Sequence, residues 1–201
     1  MTDRFGRFFT NDKVFLLSSV ISVLFFVIGV ALDLINAHYY RAALDAALGL
    51  CVIFLYYAYC KHDKNVMKGL MGTLLGILVL YNAYELATYA PKMPLFVNIV
   101  SAATIAVTLI FFVNHFLIAS DHHASSKRVR FNQVLIIVLL ALNIAKECLS
   151  FGYNDALAWH LLLIFNMLAY IGTCMCIACV ESRLDIYKTL RDMKSLASED
   201  N

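Results

Sequence analysis

Charge is scarce in this chain, and so is proline. Asp, Glu, Lys and Arg make up 15% of the 201 residues, with two prolines and eight glycines. A soluble domain carries about 25% charged and roughly 45–50% apolar residues. Here the apolar share is 62% and the mean hydropathy is +0.75. So little polar material cannot clothe a soluble surface, and the shortage of proline and glycine excludes a loop-rich or disordered chain. Basic runs are short: none exceeds Lys127, Arg128 and Arg130, and no RNA-binding or helix-turn-helix pattern surrounds them, which excludes nucleic acid as a partner. Residues 1–12 lack a small-residue cleavage site behind a short apolar stretch, so no removable signal peptide is expected. A sustained two-residue alternation is missing too, which excludes a membrane β-barrel.

What is present is a series of long apolar runs. A membrane-spanning helix needs about 20 mostly apolar residues, and six segments meet that length: 14–32, 42–60, 66–88, 95–119, 131–151 and 156–180. The expected fold is an all-α integral membrane protein, a bundle of six transmembrane helices arranged as three hairpins. Residues 1–13 form a cytoplasmic segment, 14–180 the six-helix domain and 181–201 a cytoplasmic tail. Thirteen of the sixteen basic residues fall on one side of this plan. They are Arg4, Arg7 and Lys13; Lys61, Lys64 and Lys68; Lys127, Arg128 and Arg130; and Arg183, Lys188, Arg191 and Lys194. Arg41 and Lys92 occupy the opposite loops, and Lys146 lies within a helix. This asymmetry sets both termini in the cytoplasm. The opposite loops are brief and flanked by Tyr39, Tyr40, Tyr89, Phe151, Tyr153 and Trp159, as an interfacial aromatic belt requires. In the tail, Leu184, Tyr187, Leu190 and Met193 recur every three residues, the mark of an amphipathic helix. Phe5, Phe8 and Phe9, set around arginines, likewise fit the inner membrane surface.

Ionisable groups inside a membrane are costly, usually face the bundle interior and mark function. Glu85, Lys146 and Glu147 lie about one turn inside the outer boundary, and Asn82 and Asn143 precede the two glutamates on the same helix faces. Adjacent helix positions point about 100° apart, so Lys146 pairs with Glu85 across helices while Glu147 meets His160, or the reverse. An acid near the outer end of each odd helix (Asp33, Glu85, Glu147) and a polar residue in each even one (Asp45, Asn98, His160) hint at a threefold hairpin repeat. Asp33 and Asp45 are read as hydrated at the interface. The ligand-binding set is therefore Glu85, Glu147, Asn82, Asn143, Lys146 and His160, forming an outward-facing pocket for a cationic or polar small ligand.

Other constellations carry less. Cys51, Cys60, Cys148, Cys174, Cys176 and Cys179 are read as free thiols rather than disulfides. Cys174 and Cys176 point to opposite sides of a helix and cannot chelate together, so no metal is expected, and no cofactor either. Asp121, His122 and His123 sit with Ser125 and Ser126 in a polar loop, and no nucleophile with a positioned base is patterned anywhere. Gly69, Gly72 and Gly76 make a small-residue face suited to a close helix contact within the chain. Asn114 and His115 are read as hydrogen-bonders between helices. In outline the layout resembles small six-helix transporters or channels, and also the membrane-sensing halves of bacterial receptors, but such likeness does not carry function. The leading expectation is a protein that binds or conducts a cationic or polar ligand through the pocket. The first alternative is a sensor or effector subunit acting through its tail. The second is an intramembrane enzyme, though no catalytic residues are assigned. The expected partners are the lipid bilayer and, compatibly, a second copy or another membrane protein.

Overall fold

A computed structural model describes the backbone of residues 9, 11–120, 126–151 and 157–199, and the side chains of 9, 11–89, 91–117, 131–151, 157 and 160–184. Among these residues there are six α-helices and no strand: α1 (Asp12–Ile35), α2 (Tyr39–Cys60), α3 (Lys64–Tyr89), α4 (Leu95–Ser120), α5 (Ser126–Ser150) and α6 (Leu157–Glu199), with a 3-10 turn over Ala90–Lys92. All six are long and apolar enough to cross a membrane. The loop containing Asp121, His122 and His123, the loop with Tyr153, and Phe5 and Phe8 lie outside the described residues. So do the side chains of Lys127, Arg128, Arg130, Trp159, Tyr187, Leu190 and Met193.

Local chemistry sets the helix ends. Asn11 caps α1 by accepting the Lys13 N–H at 2.9 Å, and Asp63 caps α3 by accepting the N–H groups of Asn65 and Val66. Two hairpins turn through a left-handed residue that is not glycine, Ala37 (φ 59°) and His62 (φ 55°). In each, the next N–H reaches back five residues, His38 to Asp33 and Asp63 to Ala58, which satisfies carbonyls the helix end leaves open.

Each helix packs on its neighbours in the chain, and α1 packs on α6, so the six form a closed ring. The end where α1, α3 and α5 terminate is called the upper end below. Large apolar side chains fill the middle, among them Phe15, Leu48, Leu55, Met71, Leu74, Phe111 and Ile177, all fully buried. Outward faces are apolar as well: Leu17, Val27, Leu80, Ile99 and Ile137 are each more than half exposed.

The α1–α6 seam is built from small residues. A Cβ on Gly172 would stand 2.8 Å from the Ser22 backbone nitrogen. Ser22 and Thr173 share a hydroxyl hydrogen bond of 2.7 Å, and Ser19 contacts the Cys176 sulfur at 3.5 Å. Close backbone approach through small residues is how membrane helices associate without a hydrophobic driving force. On α3, the glycine face meets α4 within the chain: Gly72 receives the Phe116 ring, Gly76 lies by Phe112, and Gly69 faces nothing within 4 Å. Spanning segment and tail are one element, since α6 runs without a break to Glu199.

Candidate functional site

Six ionisable side chains converge at the upper end, and nearly all are buried. Asp33 closes α1, Arg41 and Asp45 open α2 one turn apart, Glu85 ends α3, and Lys146 and Glu147 end α5. Lys146 Nζ lies 2.6 Å from Glu85 Oε2 and 3.5 Å from Glu147 Oε1, and donates to Asn82 Oδ1 at 3.5 Å. Arg41 bridges the other flank, with Nη2 3.3 Å from Glu85 Oε1 and Nε 3.4 Å from Asp33 Oδ2. That Nε also donates to the Tyr81 hydroxyl at 3.1 Å. The rings of Tyr81 and Tyr170 floor the cluster, Arg41 standing 5.8 Å above the first and Lys146 5.4 Å above the second.

A cleft opens onto this network, lined in part by Arg41, Glu85, Asn98, Ser101, Lys146 and Glu147. It has about 410 Å³ of empty space, most of it at the open mouth, so its enclosed part admits an ion with a few waters rather than a larger molecule. Four carboxyl groups (Asp33, Asp45, Glu85, Glu147) face two permanent cations (Arg41, Lys146). Lys146 is committed chiefly to Glu85, which leaves Glu147 at the cleft wall weakly compensated. Among the described residues, no group of three or more His, Cys, Asp or Glu is placed to hold a metal ion.

Of the residues singled out from the sequence, Glu85, Lys146, Glu147 and Asn82 come together here. Asn143 is buried beside them on α5, donating to the Leu139 carbonyl with its own Oδ1 unpartnered. His160 is held elsewhere: Nε2 donates to the Phe151 carbonyl at 2.9 Å and the imidazole stacks on the Phe151 ring. Asp33 and Asp45 are 0% and 1% exposed, not hydrated at a boundary. Arg41, placed in a loop by its neighbours Tyr39 and Tyr40, is buried as well and binds two of the acids. A signal for Arg41 existed, because it shares a helix face with Asp45 four residues on.

A second polar cluster lies at the lower end. His115 Nδ1 is 2.6 Å from Glu181 Oε1, His115 Nε2 donates to the Lys68 carbonyl, and Asn132 donates to Glu181 Oε2 at 3.4 Å. Asn114 donates to Asn132. Two residues on, Arg183 reaches Asp12 at 3.2 Å and stacks over the Tyr59 ring, whose hydroxyl also donates to Asp12. Through Glu181 and Arg183, α6 is tied at its exit to α1, α2, α4 and α5, and through His115 to α3.

No family model, curated protein or solved structure matches the chain.

Proposed function

We propose that this is a six-span membrane protein with both termini in the cytoplasm, whose outward-facing upper cleft binds a small monovalent cation. The apolar outer faces support lipid contact, and the thirteen basic residues that the sequence assigns to one side support the orientation. The binding reading is carried by one observation: Glu147 lines an open cleft while the cation paired with it, Lys146, is held closer by Glu85. Buried charge persists where something compensates it, and Asn98 and Ser101 add polar side chains at the same wall. The cleft's size and its lack of a multi-carboxylate cage favour a monovalent ion over a divalent one.

The test uses purified protein in lipid nanodiscs, titrated with Na⁺, K⁺ or NH₄⁺ against a bulky organic cation. A saturable rise in thermal stability is expected with at least one of the three, as for any ligand bound by the folded state alone. Glu147→Gln and Glu85→Gln should accumulate normally and lose the rise, and the double variant should be little worse than either. Absence of any saturable rise, or its retention in both single variants, refutes the reading.

A second reading is favoured by α6, which runs unbroken from beside the cluster into the tail and is gripped at Glu181 and Arg183. In that reading the bundle passes its state to a cytoplasmic partner. Loss of output on removal of the tail, with cation binding intact, would favour it.

A further inference from the structure

Behind the cleft lies a pair that the cation reading does not use. Asp45 Oδ2 lies against Gly29, which stands one turn before Asp33 on the same face of α1, so the Asp33 and Asp45 carboxyls share one buried neighbourhood. Yet no N–H or O–H satisfies either Asp33 oxygen or Asp45 Oδ2, and both residues are at least 99% buried. The neighbouring cations are shared or distant: Arg41 Nε gives its hydrogen to Tyr81, and His38 Nδ1 stands 3.7 Å from Asp33 Oδ1. Ionised carboxylates only accept hydrogen bonds, so two of them buried together without a donor call for a hydrogen on one. Asp45 Oδ2 presses on Gly29 of α1, where even a Cβ would stand 3.0 Å away. Charge balance agrees, because two permanent cations, Arg41 and Lys146, face four carboxyls and leave the cluster short of positive charge.

We propose that Asp33 and Asp45 bind one proton between them, as a second site coupled to the cleft through Arg41. The coupling rests on the cation reading of the cleft; the proton site does not. The hydrogen sits on one carboxyl and donates to the other. When a cation settles beside Glu147 and Glu85, it competes for Glu85, and Arg41 Nη2 is released toward Asp33. With a full cationic partner, both carboxyls ionise; the carboxyl O–H bond breaks and its proton passes to water as hydronium. The charged and titratable groups around the pair are His38 just before α2, Arg41 on α2, Tyr81 and Glu85 on α3, and Tyr170 on α6. Lys146 on α5 acts through Glu85.

Infrared spectroscopy of the full chain in nanodiscs, with no inorganic monovalent cation added, tests the site itself. Wild-type protein at neutral pH should show the carbonyl stretch of a protonated carboxyl, shifted in D₂O. Asp45→Asn should lose it, since Asp33 then has Arg41 alone, and Glu147→Gln should keep it. No such band in wild type, or a band surviving in Asp45→Asn, overturns the proposal. Gly29→Ala gives an independent variant: its methyl crowds Asp45 Oδ2, so the band should move or vanish, and an unmoved band counts against the pair. Coupling is read separately, by adding Na⁺, K⁺ or NH₄⁺ to weakly buffered protein with a pH dye. About one proton per bound cation is expected from wild type and none from Asp45→Asn; binding without proton release overturns the coupling. If none of the three cations binds, the cleft reading fails while the band still decides the proton site.

Discussion

Lys146 Nζ lies 2.6 Å from Glu85 Oε2, an ion pair joining two helices that are not neighbours in the ring. Such a brace crosses the interior and holds α3 against α5 at the level of the cleft. Removing one partner of a buried pair is costly because the other charge is left uncompensated. Lys146→Met strands Glu147 and leaves Glu85 to Arg41, so it should lower stability by about 3–5 kcal/mol. Adding Glu85→Gln should return part of that loss, with a coupling of about 0.5–3 kcal/mol in a double-mutant cycle. Thermal unfolding in detergent measures both. A Lys146→Met variant as stable as wild type would show that the brace holds nothing.

Three glycines should respond differently to alanine. At Gly172 the added methyl meets the Ser22 and Ser18 backbone of α1, which cannot swing aside, so the seam must open and stability fall most. At Gly72 it meets the far end of the Phe116 ring, a half-exposed side chain that can rotate, so the loss is smaller. At Gly69 it meets nothing, and the helix gains up to about 1 kcal/mol from alanine's higher propensity. The order of melting temperatures tests the packing; Gly172→Ala matching wild type would contradict the seam.

The tail should be dispensable only beyond its anchoring residues. Deleting residues 187–201 spares Glu181 and Arg183 and should leave the bundle accumulating in membranes. Ending the chain at Val180 removes both anchors and takes one partner each from His115, Asn132 and Asp12. Accumulation after that second truncation should drop sharply. Equal accumulation of the two would mean the lower cluster contributes no stability.

Orientation is tested by reporters. Fusions after Asn201 or at Ser125 should read cytoplasmic, and one at Lys92 external. A cytoplasmic signal at Lys92 would break the alternation on which six crossings depend.

A small membrane-permeant thiol reagent should separate the cysteines. Cys60 and Cys148 are exposed, whereas Cys51, Cys174, Cys176 and Cys179 are buried. Two sites should label quickly and four only after unfolding. Rapid labelling at Cys176 would show that the α1–α6 seam opens.

The helices were legible because a long apolar run has few alternatives, and helix ends fell within a few residues of the loop signals. The meeting of Lys146 with Glu85 is one of the two pairings that depth and helix angle leave open. Arg41 reads as a loop residue despite sharing a helix face with Asp45, because at a helix start beside Tyr39 and Tyr40 it has the surroundings of an interfacial cation. Only the packing of α2 between α1 and α3 turns it inward, and that is a tertiary fact. Asp33 and Asp45 were misplaced for the same reason, since depth along a helix says nothing of which face the ring encloses. His160 shares the depth of Glu147 but is claimed by Phe151, a local stacking partner that depth cannot reveal. Gly172 carried no pattern at all, its partner serines lying at the far end of the chain.

The ring's closing seam joins α1 to α6. In the six-span membrane reading proposed above, α1 stands in lipid with its serine face uncovered while α2 to α5 are inserted and until α6 arrives. Ser18 and Ser19 suit it to that wait. Each donates its hydroxyl to the carbonyl four residues back, Val14 and Phe15, so neither needs a partner helix to be satisfied in hydrocarbon. Ser22 differs, for its bonds run to Thr173 and the Ala169 carbonyl. In that reading the docking of Thr173 on Ser22 is the last step of assembly, and before it the ring is an open horseshoe.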